Sequence, residues 1–109
     1  EEHISTMYIR RVELTDKETA VTFRVFYPSS QWFRISDESH LITDGNEKLP
    51  IRSASNITLN KRCYTPESNV MEFTLHFPAL PANAASFSYY EEENKPDDCW
   101  RMIGVKVKD

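Results

Sequence analysis

Met71-Glu72-Phe73-Thr74-Leu75-His76-Phe77 is the stretch that decides the fold class. Met71, Phe73, Leu75 and Phe77 fall on one side of an extended chain, and Glu72, Thr74 and His76 fall on the other. Successive side chains leave a strand on opposite faces, so strict alternation marks a half-buried β-strand. Ala20 to Tyr27 repeats the pattern, with Val21, Phe23, Val25 and Tyr27 set against Ala20, Thr22, Arg24 and Phe26. No stretch keeps a helical period.

Outward from these two strands, punctuation residues divide the chain into further extended segments. Met7 to Leu14 precedes a turn at Thr15-Asp16-Lys17, and Glu18 to Tyr27 stops at Pro28, which cannot donate to a ladder. Gln31 to Ser36 reads as the next strand. His40 to Thr43 and Lys48 to Arg52 are joined through Asp44-Gly45-Asn46, a hairpin signal because such residues reach positive φ cheaply. Ile57-Thr58-Leu59 reads as a short edge strand. Val70 to Phe77, Ser86 to Glu91 and Trp100 to Val107 complete the series, and Ala82 to Ala85 has room for one helical turn at most.

Short strands with frequent turn signals, in 109 residues, give an all-β, immunoglobulin-like antiparallel β-sandwich of about seven or eight strands. Two glycines supply few of the sharp bends that a small barrel needs. The expected core is Val21, Phe23, Val25, Phe73, Leu75, Phe77, Phe87, Ile103 and Val105. Residues 1–109 are enough for a single domain. The opening at Glu1-Glu2-His3 and the close at Lys108-Asp109 read as a segment excised from a longer precursor.

Seventeen acidic and thirteen basic residues leave a net charge of −4, which gives no basic footprint for nucleic acid. No apolar run approaches the ~18–20 residues that cross a bilayer as a helix. His3, His40 and His76 are scattered, so no metal site is expected, and no cofactor motif is present. Glu91-Glu92-Glu93, with Asp97 and Asp98, lacks the interleaved spacing of a calcium loop and reads as a solvated acidic loop. Asn56-Ile57-Thr58 matches a glycosylation sequon, a short motif that chance supplies often. No acid–base pair or activated nucleophile can be assembled from spacing, so no catalytic residue is expected.

Most of the thirteen aromatic residues should fill the core or cover its ends. Trp32, Phe33, Tyr90 and Trp100 are the candidate binding residues. Phe33 and Trp100 are the leading anchors because each is out of phase with its strand's inner face. Cys63 and Cys99 have no Cys-x-x-Cys spacing. Strand alternation brings the segments that carry them towards one end of a sandwich, which leaves either a Cys63–Cys99 disulfide or two thiols.

An ordered set of short motifs spans most of the chain. Trp32-Phe33-Arg34-Ile35 is followed by Asp44-Gly45, Leu49-Pro50-Ile51, Ser53-Ala54 and Ile57-Thr58-Leu59. Pro66-Glu67-Ser68, Glu72-Phe73-Thr74-Leu75-x-Phe77, Leu80-Pro81, Ser86-Phe87 and Trp100-x-x-x-Gly104-Val105 follow. This series resembles a β-sandwich module that stands ahead of a thioredoxin-like domain in envelope thiol-disulfide oxidoreductases of anaerobic, gut-type Gram-negative bacteria. The resemblance implies a periplasmic or cell-envelope location. It implies a non-catalytic accessory module that positions the downstream redox domain or a protein client. The alternative is a free-standing extracellular domain that recognises glycan or protein through exposed aromatics.

Overall fold

Residues 6–27, 32–91 and 101–107 are described by a computed structural model, in which ten strands run in chain order. They are β1 (Thr6–Leu14), β2 (Glu18–Phe26), β3 (Trp32–Phe33), β4 (His40–Thr43) and β5 (Lys48–Pro50). β6 (Ser53–Ser55), β7 (Cys63–Tyr64), β8 (Val70–Pro78), β9 (Ser86–Tyr90) and β10 (Arg101–Lys106) follow. One sheet has the order β1-β2-β8-β6, a second has β10-β9-β4-β5, and β3 pairs with β7 in a separate ribbon. Every pairing is antiparallel. The chain is all-β, as the alternation implies.

The alternating stretches become the middle of the first sheet. β2 and β8 pair without a break from Glu18↔Pro78 to Phe26↔Val70, so Val21, Phe23 and Val25 lie opposite Leu75, Phe73 and Met71. Phe87 and Tyr89 of β9 and Leu41 of β4 supply the facing surface, and all of these except the half-buried Met71 are buried. The layers meet through rings: Phe23 and Tyr89 are 4.9 Å apart between centroids, and Phe77 meets Tyr89 edge-on at 6.3 Å. Tyr89 is fully buried, and its hydroxyl finds Ser39 Oγ at 3.1 Å. A buried phenol needs such a partner.

Seven of the nine expected core residues are buried, and Val105 packs against the core half-buried. Ile103 does not belong to the core, for its side chain is 64% exposed. The cause is a bulge. Met102 pairs with Tyr89 and Val105 with Phe87, so Ile103 and Gly104 together oppose Ser88. Gly104 adopts φ 69°, a left-handed conformation that glycine reaches without Cβ strain, and its N–H donates to Ser88 Oγ at 3.1 Å. Met102 and Val105 thus both face inward at a spacing of three, and Ile103 is turned out.

β1 has the same device. Its register steps from Ile9↔Phe23 to Arg11↔Thr22, which leaves Arg10 as the extra residue. Met7, Ile9 and Val12 still reach the core side. Arg10 Nε meets Glu72 Oε2 at 3.1 Å, and Arg24 Nη1 meets the same oxygen at 3.0 Å.

Other boundaries differ from the sequence expectation. The edge strand beside β8 is Ser53–Ser55 rather than Ile57-Thr58-Leu59, because Ile57 and Leu59 turn in against the core. The Gln31–Ser36 strand shrinks to Trp32–Phe33, because the chain turns at Ser36, whose carbonyl accepts from Ser39 N and Ser39 Oγ. Ala82–Ala85 holds one turn, closed by Ala84 N donating to Pro81 O. In the Asp44-Gly45-Asn46 hairpin it is Asn46 that takes positive φ, at 68°, and its N–H donates to Thr43 O at 2.8 Å. That matches a hairpin whose turn ends in a left-handed residue.

Candidate functional site

Two residues make the ribbon's outer surface. Trp32 lies opposite Tyr64, and Phe33 lies opposite Cys63. Directly opposed residues of an antiparallel pair share a face. Phe33 and Cys63 therefore turn inward together, and Trp32 and Tyr64 turn outward, 44% and 53% exposed. Phe33 is thus corrected from exposed anchor to core. It is 4% exposed, and its ring meets Tyr27 at 5.5 Å and Phe73 at 6.3 Å.

The loop before β7 is held in place by its own residue types. Asn56 and Asn60 occupy the left-handed region, at φ 67° and 66°, which asparagine tolerates better than most side chains. Asn56 Nδ2 donates to Glu72 O, Asn60 N donates to Ile35 O at 2.8 Å, and Asn60 Oδ1 accepts from Asp37 N at 2.9 Å. Ile57 and Leu59 anchor the loop apolarly. On the far side, Thr65 Oγ1 donates to Tyr27 O at 2.7 Å. Between these anchors Arg62 lays its guanidinium over the Trp32 ring, 5.0 Å from the centroid. An open groove of about 740 Å³ adjoins it, lined by the 56–58 turn and by Lys61, Arg62, Cys63 and Tyr64.

The other sequence candidates lie elsewhere. Tyr90 stacks on His40 at 5.7 Å, and no ring contact joins it to Trp32 or Tyr64 among the described residues. Trp100 and Cys99 lie outside the described residues. Cys63 is half-buried, with its Sγ 3.7 Å from Met71 Sδ. Burial pushes the Cys63 thiol above its ordinary pKa, since a buried thiolate loses hydration. At any pH below that raised value the folded chain holds less thiolate than an unfolded one. Iodoacetamide should therefore label Cys63 more slowly in native than in denatured protein at pH 8. Equal rates, read by mass spectrometry of the labelled peptide, would contradict this.

The structure also assembles a group that spacing did not reveal. Ser55 Oγ lies 2.9 Å from His76 Nε2, and His76 Nδ1 lies 3.2 Å from Glu18 Oε2. An ionised carboxylate only accepts, so Nδ1 donates to Glu18, while Nε2 accepts from the serine in the neutral ring and donates to it in the imidazolium. The order is that of a serine–histidine–carboxylate relay. Its setting differs from one: the three residues sit on β6, β8 and β2 across the open outer face of the first sheet, and the Glu18 side chain is 39% exposed. In hydrolytic triads the carboxylate is buried. The arrangement continues the polar row that includes Thr22 Oγ1–Thr74 Oγ1 at 2.9 Å and Arg24–Glu72, so it acts as a cross-strand ladder. Sequence reading missed it because residues 18, 55 and 76 meet only through strand pairing.

Glu91, expected in a solvated loop, is buried, and its Oε2 accepts from Ser36 N at 3.0 Å. Among the described residues no three or more His, Cys, Asp or Glu side chains converge as metal ligands. No described helix is long and apolar enough to cross a membrane. No family model, no curated protein and no solved structure matches the chain.

Proposed function

We propose that this chain is a non-catalytic recognition module that holds a glycan against the Trp32–Tyr64 pair. The observation that carries the reading is the exposure of two large rings at opposed positions of one short ribbon. Exposed aromatics are costly to leave in water, and rings with polar tips suit the apolar face of a sugar ring. The two fixed asparagine turns and the inward Phe33 hold this surface in place, so little ordering entropy is lost on binding.

The scaffold supports the same reading. The first sheet joins the first two strands to β8 and then β6, and the second joins β10 to β9 to β4 to β5. These orders support an immunoglobulin-like reading, a framework that presents loops and short ribbons for recognition. Such a framework does not itself name a ligand. The setting we propose is the cell envelope, ahead of a thioredoxin-like domain, on the support of the ordered motifs quoted above.

Trp32→Ala and Tyr64→Ala should each weaken glycan binding by about tenfold or more, about 1.4 kcal/mol, the loss expected of a central aromatic contact. Both should leave the unfolding midpoint nearly unchanged, because both rings are exposed. Calorimetric titration on an oligosaccharide panel measures the first effect, and urea unfolding measures the second. A panel in which no oligosaccharide binds the unmodified chain would remove the proposal.

A further inference from the structure

We infer that the glycan held by the β3–β7 ribbon is acidic, its sugar rings bearing carboxylate or sulfate groups; this rests on the stacking reading above. Charge is distributed unevenly over the molecule. The chain carries net charge −4, yet among the described residues the groove beside Tyr64 is lined by Lys61 and Arg62 and by no carboxylate. On the outer face of the first sheet the arginines are matched: Arg10 and Arg24 converge on Glu72 at 3.1 and 3.0 Å. Among the described residues neither Lys61 nor Arg62 forms an ion pair.

Arg62 instead rests on Trp32. A guanidinium stacked on an indole keeps its planar N–H edge free, and that edge fits the two oxygens of a carboxylate or sulfate. The stacking also restricts the side chain before any ligand arrives, which lowers the entropy lost on binding. Lys61 adds a second point charge beside it. Asn56 and Thr58 in the lining offer amide and hydroxyl groups suited to sugar hydroxyls. One surface thus combines exposed aromatic rings, two cations that form no ion pair among the described residues, and neutral polar groups. A neutral sugar would leave the cations unused. An acidic peptide would use them but would gain less than a sugar from the exposed rings.

The experiment titrates three probes of matched length into the purified chain: an oligogalacturonate, a neutral oligoglucan and an oligoglutamate. Calorimetric titration reports binding, so that Trp32→Ala can be read on the same footing as the other variants. The inference expects the oligogalacturonate to bind about tenfold or more tightly than either other probe, with affinity falling as salt rises. Arg62→Gln and Lys61→Gln should each lose several-fold for the oligogalacturonate while leaving the neutral probe unchanged. Trp32→Ala should lose both.

Equal binding of neutral and acidic sugars, untouched by Arg62→Gln, would overturn the inference and leave glycan recognition standing. Oligoglutamate binding as tightly as oligogalacturonate would overturn it by showing that charge alone is read. Binding of neither sugar, or sugar binding indifferent to Trp32→Ala and Tyr64→Ala, would overturn both the inference and the reading beneath it.

Discussion

Phe73→Ala lowers the unfolding free energy by about 3–5 kcal/mol, the range for emptying an aromatic core site. Phe73 is 1% exposed at the centre of β8. Its ring stacks on Phe23 at 5.5 Å and Phe33 at 6.3 Å, so truncation strips contacts from both. The backbone cannot close the gap cheaply, since β2 and β6 pair with β8 on either side. Domains of this size have a total stability of about 5–15 kcal/mol, so the loss is a large fraction of the whole. The urea midpoint should fall with little change in slope. Ile103→Ala is the matched control. At 64% exposure it should stay within about 0.5 kcal/mol of the unmodified chain. A loss at Ile103 equal to that at Phe73 would mean that the β10 bulge is misplaced.

Glu91→Ala should cost about 2–3 kcal/mol, through lost hydrogen bonding rather than lost apolar area. Glu91 Oε2 is the acceptor for the buried Ser36 N–H. Truncation leaves that donor in the interior without the partner it now has. The damage should spread along one turn. Ser36 Oγ accepts from Glu38 N, Ser36 O accepts from Ser39 Oγ, and Ser39 Oγ meets Tyr89 OH. Glu91→Gln retains an acceptor oxygen and should recover most of the stability. Amide exchange should show Ser36 and Ser39 losing protection before β2 or β8 does. A Glu91→Ala variant within about 0.5 kcal/mol of the parent would argue that this carboxylate is solvated after all.

The sequence makes β2 and β8 legible because both faces follow period two without interruption, and their register is unbroken for the same reason. β1 and β10 are harder to read. Their inward residues, Ile9 and Val12 or Met102 and Val105, are three apart, so a period-two reading carries the wrong residue into the core. That is how Ile103 came to be expected there. Gly104 is the local mark of the bulge, and its φ of 69° is the reason a glycine serves.

The candidate site was half legible. Phe33 reads as a leading anchor beside Trp32, yet it stands two residues from Ile35 and so shares that residue's face, and both are buried. The pairing of Trp32 with Tyr64 joins residues 32 positions apart through a contact that no local pattern announces. Glu91 misled because a run of acids normally hydrates, and only the fold brings the Ser36 N–H to its first member.

The two bulges have a further consequence at the margins of the molecule. Each sheet has two outer strands, β1 and β6 in one and β10 and β5 in the other. β5 and β6 have three residues each, and β1 and β10 are bulged. An incoming strand on β1 keeps register over Thr6–Ile9 or over Arg11–Leu14, but not across Arg10. Cross-β stacking draws on matched segments of about six or seven residues, longer than any of these borders supplies. The seven-residue run that would serve, Met71–Phe77, lies inside the first sheet with β2 and β6 on its flanks. On that strand β6 pairs only with Thr74–His76, so release of three residues, a local opening at one edge, bares the outer side of β8 to an incoming strand.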